Sequence, residues 1–108
     1  MALSVAQQFT VIEGPSGWHA QVSAYFYVLA DPGGQELLAF HWHPVGASPI
    51  RTPHLHVGAE VRVGDRWLRK VHIPTGPIAV QDVLALAIEE LGVEPLRDDW
   101  TLVLDQTR

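Results

Sequence analysis

Five of the six histidines in this chain fall between His41 and His72, and four of them form two His-x-His pairs. The segment reads HWH at 41–43, then a proline-rich loop, HLH at 54–56, a strand-like run and VHIP at 71–74. Alternate residues of a β-strand face the same side, so each pair projects both imidazoles onto one face. Histidine titrates near neutrality and is also the commonest metal ligand. The spacing therefore points to proton transfer or to ligation at one place.

The first chemistry that suits such a cluster is metal-free cleavage of RNA. One histidine removes the 2′-hydroxyl proton, another protonates the leaving 5′-oxygen, and a cation steadies the phosphorane. His54, His56 and His72 are the expected catalytic residues, with His41 and His43 in support. Lys70 is the expected stabilising cation, alongside Arg62 or Arg51 as phosphate contacts. Tyr25 and Tyr27 are candidates for stacking a base, although paired tyrosines in a strand also serve packing. This reading needs no cofactor.

The second chemistry is ligation. His54, His56 and Glu60 have the spacing H-x-H-x3-E, and His72 or His43 supplies a later ligand. Two or three imidazoles with a carboxylate suit one divalent transition metal such as zinc, with an open position for a small-molecule substrate. The spacing resembles the first cupin motif, but the second cupin motif is missing. A third reading is a non-catalytic module that binds a partner through the exposed sheet or the proline loop. No G-x-S-x-G, P-loop or G-x-G-x-x-G is present. Thr75-Gly76 follows a strand, but Pro77 and the later helix start weaken a phosphate site there.

The elements that must position these side chains are mostly strands. Phe9–Glu13 reads as a short strand closed by the turn Gly14-Pro15-Ser16-Gly17. Gln21–Leu29 and Glu36–His43 read as a hairpin about Asp31-Pro32-Gly33-Gly34. In the second of these strands Leu38, Phe40 and Trp42 share one face, while Ala39, His41 and His43 share the other. Pro44–Pro53 is a long loop, expected to act as a lid or flap.

His54–Val63 alternates cleanly, and Trp67–Ile73 follows the turn residues Gly64 and Asp65. A two-residue turn there would place His72 on the apolar face. A three-residue loop pairs His56 with His72, Val57 with Val71 and Leu55 with Ile73, so the buried face selects that loop or an equivalent bulge. Val80–Leu91 has apolar residues at helical spacing, with Gly92 as its end. Asp98 or Asp99 is placed to cap a last element from 98 to 106, which reads equally as helix or strand. The expected fold is α+β: an antiparallel sheet of about five strands in consecutive hairpins, one amphipathic helix on its apolar face and a short C-terminal element.

With 108 residues, 47% of them apolar, the chain has enough for one core and reads as a single domain spanning 1–108. It has no cysteine, which excludes disulfides, cysteine-ligated zinc and thiol nucleophiles. No apolar run reaches membrane-spanning length, and MALSVAQQF lacks the features of a signal peptide, so a cytoplasmic location is expected. The formal charge of −5 makes general nucleic-acid affinity weak. It conceals an asymmetry, because Arg51, Arg62, Arg66, Arg69 and Lys70 lie in the same segment as the histidines, against only Glu60 and Asp65. A local basic patch of this kind holds a phosphate. The bland alternative is a set of solvated side chains on an exposed sheet face.

In order, Tyr25–Ala30, His41–Pro44, Pro53–His56, His72–Gly76, Val80–Gly92 and Asp99–Trp100 resemble a family of small bacterial proteins. These share a strand, HWHP, a proline loop, PHLH, HIPTG, a helix and a closing DW. More distantly, Tyr25 to Leu91 is similar to the TumE-type toxins of toxin–antitoxin modules, which combine a tyrosine-rich hairpin, a histidine pair and a helix. That resemblance implies an endoribonuclease toxin, with RNA as substrate and a cognate DNA-binding antitoxin as partner. A homodimer is compatible with it. His54 and His56 are the positions matching the paired histidines. The extra HWH pair, the longer proline loop and the acidic C-terminus depart from that pattern.

Overall fold

The computed structural model describes residues 1–46 and 49–108 as an α+β protein in two compact units, Met1–Pro77 and Ile78–Arg108. The first unit carries a five-stranded antiparallel sheet formed by β1 (Ala2–Gly14), β2 (Gly17–Ala30), β3 (Glu36–Trp42), β4 (His54–Val57) and a two-residue β7 (Ile73–Pro74). They lie side by side in that order. Between β4 and β7, β5 (Arg62–Val63) and β6 (Arg66–Trp67) pair only with each other as a separate ribbon. Residues 47 and 48, in the middle of the Pro44–Pro53 loop expected to act as a lid or flap, lie outside the described residues.

β1 is far longer than the expected Phe9–Glu13. Its first half, rich in alanine, serine and glutamine, has little strand preference of its own. Pairing with β2 from Ala2↔Ala30 onward supplies what the local sequence does not. The β2–β3 ladder sets Phe26 opposite His41 and Tyr27 opposite Phe40. Tyr25, Tyr27, Leu29 and Phe40 thus share one face, and all four are buried. Tyr25 and Tyr27 stack with ring centroids 4.6 Å apart, and the Tyr27 hydroxyl accepts a hydrogen bond from Gln7 Nε2 at 3.0 Å.

The expected strand His54–Val63 ends at Val57, and Gly58 is the reason. Its N–H donates to the Leu37 carbonyl at 2.8 Å, and an added Cβ would lie 1.8 Å from the Glu36 carbonyl oxygen. The chain passes so close to β3 that only glycine fits, and it then leaves the sheet. Gly64, at φ +62°, and Asp65 make a two-residue turn pairing Arg62 with Trp67. The expected strand Trp67–Ile73 is thereby divided into β6, a 3₁₀ turn at Leu68–Lys70 and β7. When the chain returns, Leu55 pairs with Ile73 and His54 with Pro74. The expected three-residue loop is therefore replaced by a two-residue turn, and the expected Leu55–Ile73 register arises instead through the separate ribbon and the Leu68–Lys70 turn.

In the second unit, α1 (Val80–Glu89) buries Val83 and Ala87, one helical turn apart. Gly92, at φ +76°, turns the chain, and the Val93 N–H reaches the Ala87 carbonyl at 3.1 Å. The last element is a helix, α2 (Trp100–Thr107). Asp99 stands at its start without capping it, because its carboxylate takes both Arg97 donors at 2.7 and 2.9 Å. Gln81 Nε2 donates to the Thr107 carbonyl at 2.8 Å, and Arg108 pairs with Asp82. Among the described residues no helix is long and apolar enough to cross a membrane.

Candidate metal centre

The histidines occupy the sheet face opposite the tyrosines. His41 in β3 lies directly across the ladder from His54 in β4, and Ala39 lies across from His56. Ala39 is small and buried, which leaves room for imidazoles over the strand pair. Ring centroids are 5.4 Å apart for His41–His54, 4.9 Å for His41–His56 and 5.0 Å for His54–His56. His72 precedes β7 and joins at 5.0 Å from His54 and 4.7 Å from His56. The four imidazoles form one cluster. His43, just past the end of β3, stands at the rim, 6.1 Å from His41.

Two of these rings are held from behind. His54 is buried, and its Nδ1 lies 2.8 Å from the Thr52 carbonyl oxygen; His56 Nδ1 lies 3.2 Å from the Arg69 carbonyl oxygen. A carbonyl accepts only, so each Nδ1 donates to it, and in the neutral form of either ring the lone pair lies on Nε2. Metal-ligating histidines are oriented by this arrangement. His41 packs against Phe26 at 4.6 Å, and its Nε2 is buried without a hydrogen-bond partner. An orphaned ring nitrogen beside two pinned ones needs a physical explanation, and a shared ligand provides one.

The electrostatics agree with that geometry. Burial, reinforced by His56, His54, His43 and His72, lowers the His41 pKa to about 4. Burial and neighbouring His72 also hold His56 below the usual histidine value, against the raising effect of its bond to Arg69. Neutral imidazoles have lone pairs to give, and protons compete weakly for them.

The donor atoms of His41, His54 and His56 all lie within 4.8 Å of one another. Zinc–nitrogen bonds of about 2.0 Å in tetrahedral geometry set ligand nitrogens about 3.3 Å apart, somewhat closer than the 4.8 Å limit within which these atoms lie. Glu60 is not in this set. Its place in H-x-H-x3-E assumes strand alternation as far as residue 60, and β4 ends three residues earlier at Val57. Glu60 is exposed and lines a cavity with Arg69 and Lys70.

The remaining expected site residues are dispersed. Tyr25 and Tyr27 are 3% and 1% exposed on the opposite face, so neither presents its ring to a base. Arg51 donates to the carbonyls of Pro44 and Gly46 at 2.8 and 3.5 Å, which makes it a clasp for the proline loop. Arg62 lies over Trp67, 4.3 Å from the ring centroid. Lys70 is exposed and lines a cavity with His72.

Two residues beside the histidines carry no motif that marks them. Glu36 and Arg69 line a cavity of about 260 Å³ with His41, His56, Val57 and Gly58. Arg69 lies in the basic segment, which is a usable signal. Glu36 is the first residue of β3 and lines this cavity beside Gly58. No family model, curated protein or solved structure matches this chain.

Proposed function

We propose that this chain is a transition-metal protein, with His41, His54 and His56 as ligands, zinc the best-suited ion, and a small molecule as substrate. The single observation that carries the reading is the buried, unpartnered Nε2 of His41 beside two imidazoles whose Nδ1 atoms are already fixed. Held by His41, His54 and His56, such an ion would act as a Lewis acid and would lower the pKa of a bound water. The chain's own part is to hold His41 and His56 below the usual histidine value, to orient His54 and His56 through the Thr52 and Arg69 carbonyls, and to pack Phe26 against His41. His72 is exposed at the edge of the cluster, its ring 4.7 Å from that of His56.

Acid–base cleavage of RNA by the same residues needs one imidazole protonated near neutrality. The depressed values of His41 and His56 disfavour them as proton donors. The toxin reading, with its antitoxin partner, rests on the resemblance at His54 and His56.

Titration of the metal-free chain with zinc, against a chromogenic chelator, tests the proposal. Uptake of one equivalent, lost in His54→Ala, supports it. An absence of uptake, with metal-free protein degrading RNA, returns the acid–base reading.

A further inference from the structure

The segment that leaves the sheet at Gly58 returns with cations. Between Arg62 and His72 lie Arg62, Arg66, Arg69 and Lys70 against the single acid Asp65, in a chain whose formal charge is −5. Arg62 and Arg69 both lie against Trp67, with guanidinium carbons 4.3 and 5.4 Å from the ring centroid. Those contacts fix the ribbon and occupy two of the cations. Arg66 and Lys70 are exposed, and neither has an ion-pair partner among the described residues.

Arg66 and Lys70 line a cavity of about 470 Å³ with Asp65, Trp67, Val71 and His72. His72 is also the edge of the histidine cluster, 4.7 Å from the His56 ring, so the cavity opens beside the ligands. The turn Leu68–Lys70 performs two tasks. Its Arg69 carbonyl orients His56, and its Lys70 supplies charge to the cavity.

We infer that this cavity seats the phosphoryl group of a small phosphate monoester, held by Arg66, Lys70 and His72 next to the three-histidine centre. The inference rests on the metal reading and names the substrate class of that site. A guanidinium fork and an ammonium are the side chains that recognise phosphoryl oxygens, and a nearby dication adds to their field. A small ester fits better than an RNA strand for two reasons. Trp67 already carries two guanidiniums instead of an open face for a base, and an acidic chain gains little from a polyanion.

The test is isothermal titration of the zinc-loaded full chain with phenyl phosphate, inorganic phosphate, phenylacetate and a short single-stranded RNA. The double variant Arg66→Gln/Lys70→Gln is titrated alongside, with its zinc content and circular dichroism measured. Phenyl phosphate is expected to bind at least tenfold tighter than phenylacetate, and the double variant to lose at least tenfold while keeping one zinc and its fold. Inorganic phosphate is expected to bind through the same residues but more weakly than the ester. Equal binding of phenyl phosphate and phenylacetate, or binding untouched by the double substitution, overturns the inference and leaves the metal centre standing. RNA bound more tightly than phenyl phosphate overturns the choice of a small ester. If zinc is not taken up, the metal reading fails by itself; phosphate binding by the metal-free chain, lost in the double variant, still supports the seat.

Discussion

His41 faces His54 across the β3–β4 ladder, with ring centroids 5.4 Å apart, and this pairing joins the two His-x-His motifs into one cluster. Neighbouring strands stand about 4.8 Å apart, so cross-strand partners on one face come within contact range. A slip of one residue would turn either pair to the buried face.

The ligands and the rim residue should separate cleanly. His41→Ala, His54→Ala and His56→Ala are each expected to lower zinc affinity by at least about 100-fold, since loss of even an outer-shell partner costs 10–100-fold elsewhere. His43→Ala, removing a ring 6.1 Å from His41, is expected to change it less than threefold. Chelator competition on the four variants measures both, and equal losses at all four would count against the assignment.

Acid should weaken the metal-free protein. His41 has a folded pKa of about 4 against an ordinary 6.5, and His56 is displaced in the same direction. Between those values the unfolded chain binds more protons, so stability is full above pH 6.5 and falls as pH drops toward 4. Urea midpoints at pH 7, 6 and 5 are expected to decline, with a shallower decline in His41→Gln. Identical slopes would show that His41 does not carry this linkage.

Gly58 should tolerate no side chain. In Gly58→Ala the new Cβ would lie 1.8 Å from the Glu36 carbonyl oxygen, so backbone must move. The expected cost is about 2 kcal/mol or more, in the range of backbone-disrupting substitutions. Equilibrium unfolding checks it; a loss under about 0.5 kcal/mol, the size of an ordinary surface substitution, would mean that β4 does not pass so close to β3.

Metal and folding should be coupled, because the site is assembled from strands distant in sequence. Free zinc at one hundred times its Kd is expected to stabilise the chain by about 2.7 kcal/mol. Thermal or urea unfolding with and without zinc reads the effect, and it should vanish in His54→Ala. An equal shift in that variant would indicate binding elsewhere.

The histidine face is legible in the sequence because alternation needs only a strand and a register. Apolar Leu38, Phe40 and Trp42 fix the buried face of β3, and that alone assigns His41 to the other. The Leu55↔Ile73 register is legible for the same reason, although the connection producing it is not. The ribbon at 62–67 depends on Gly58 meeting the Glu36 carbonyl, a contact between residues distant in sequence. Glu60 lies beyond the end of β4 at Val57, and Glu36 lines the site beside Gly58, neither of which the H-x-H-x3-E spacing reveals. The roles of the Thr52 and Arg69 carbonyls leave no trace in side-chain types, because backbone atoms perform them. Tyr25 and Tyr27 illustrate the opposite error: alternation alone puts them on the face opposite His41, once Phe26 is set across from it.

X-ray absorption at the zinc edge of the loaded chain tests the central claim most directly. The predicted result is one zinc per chain with at least three imidazole nitrogens at about 2.0 Å, and one imidazole fewer in His41→Ala. Less than a tenth of an equivalent of zinc, or an oxygen-only shell unchanged by His41→Ala, would contradict it.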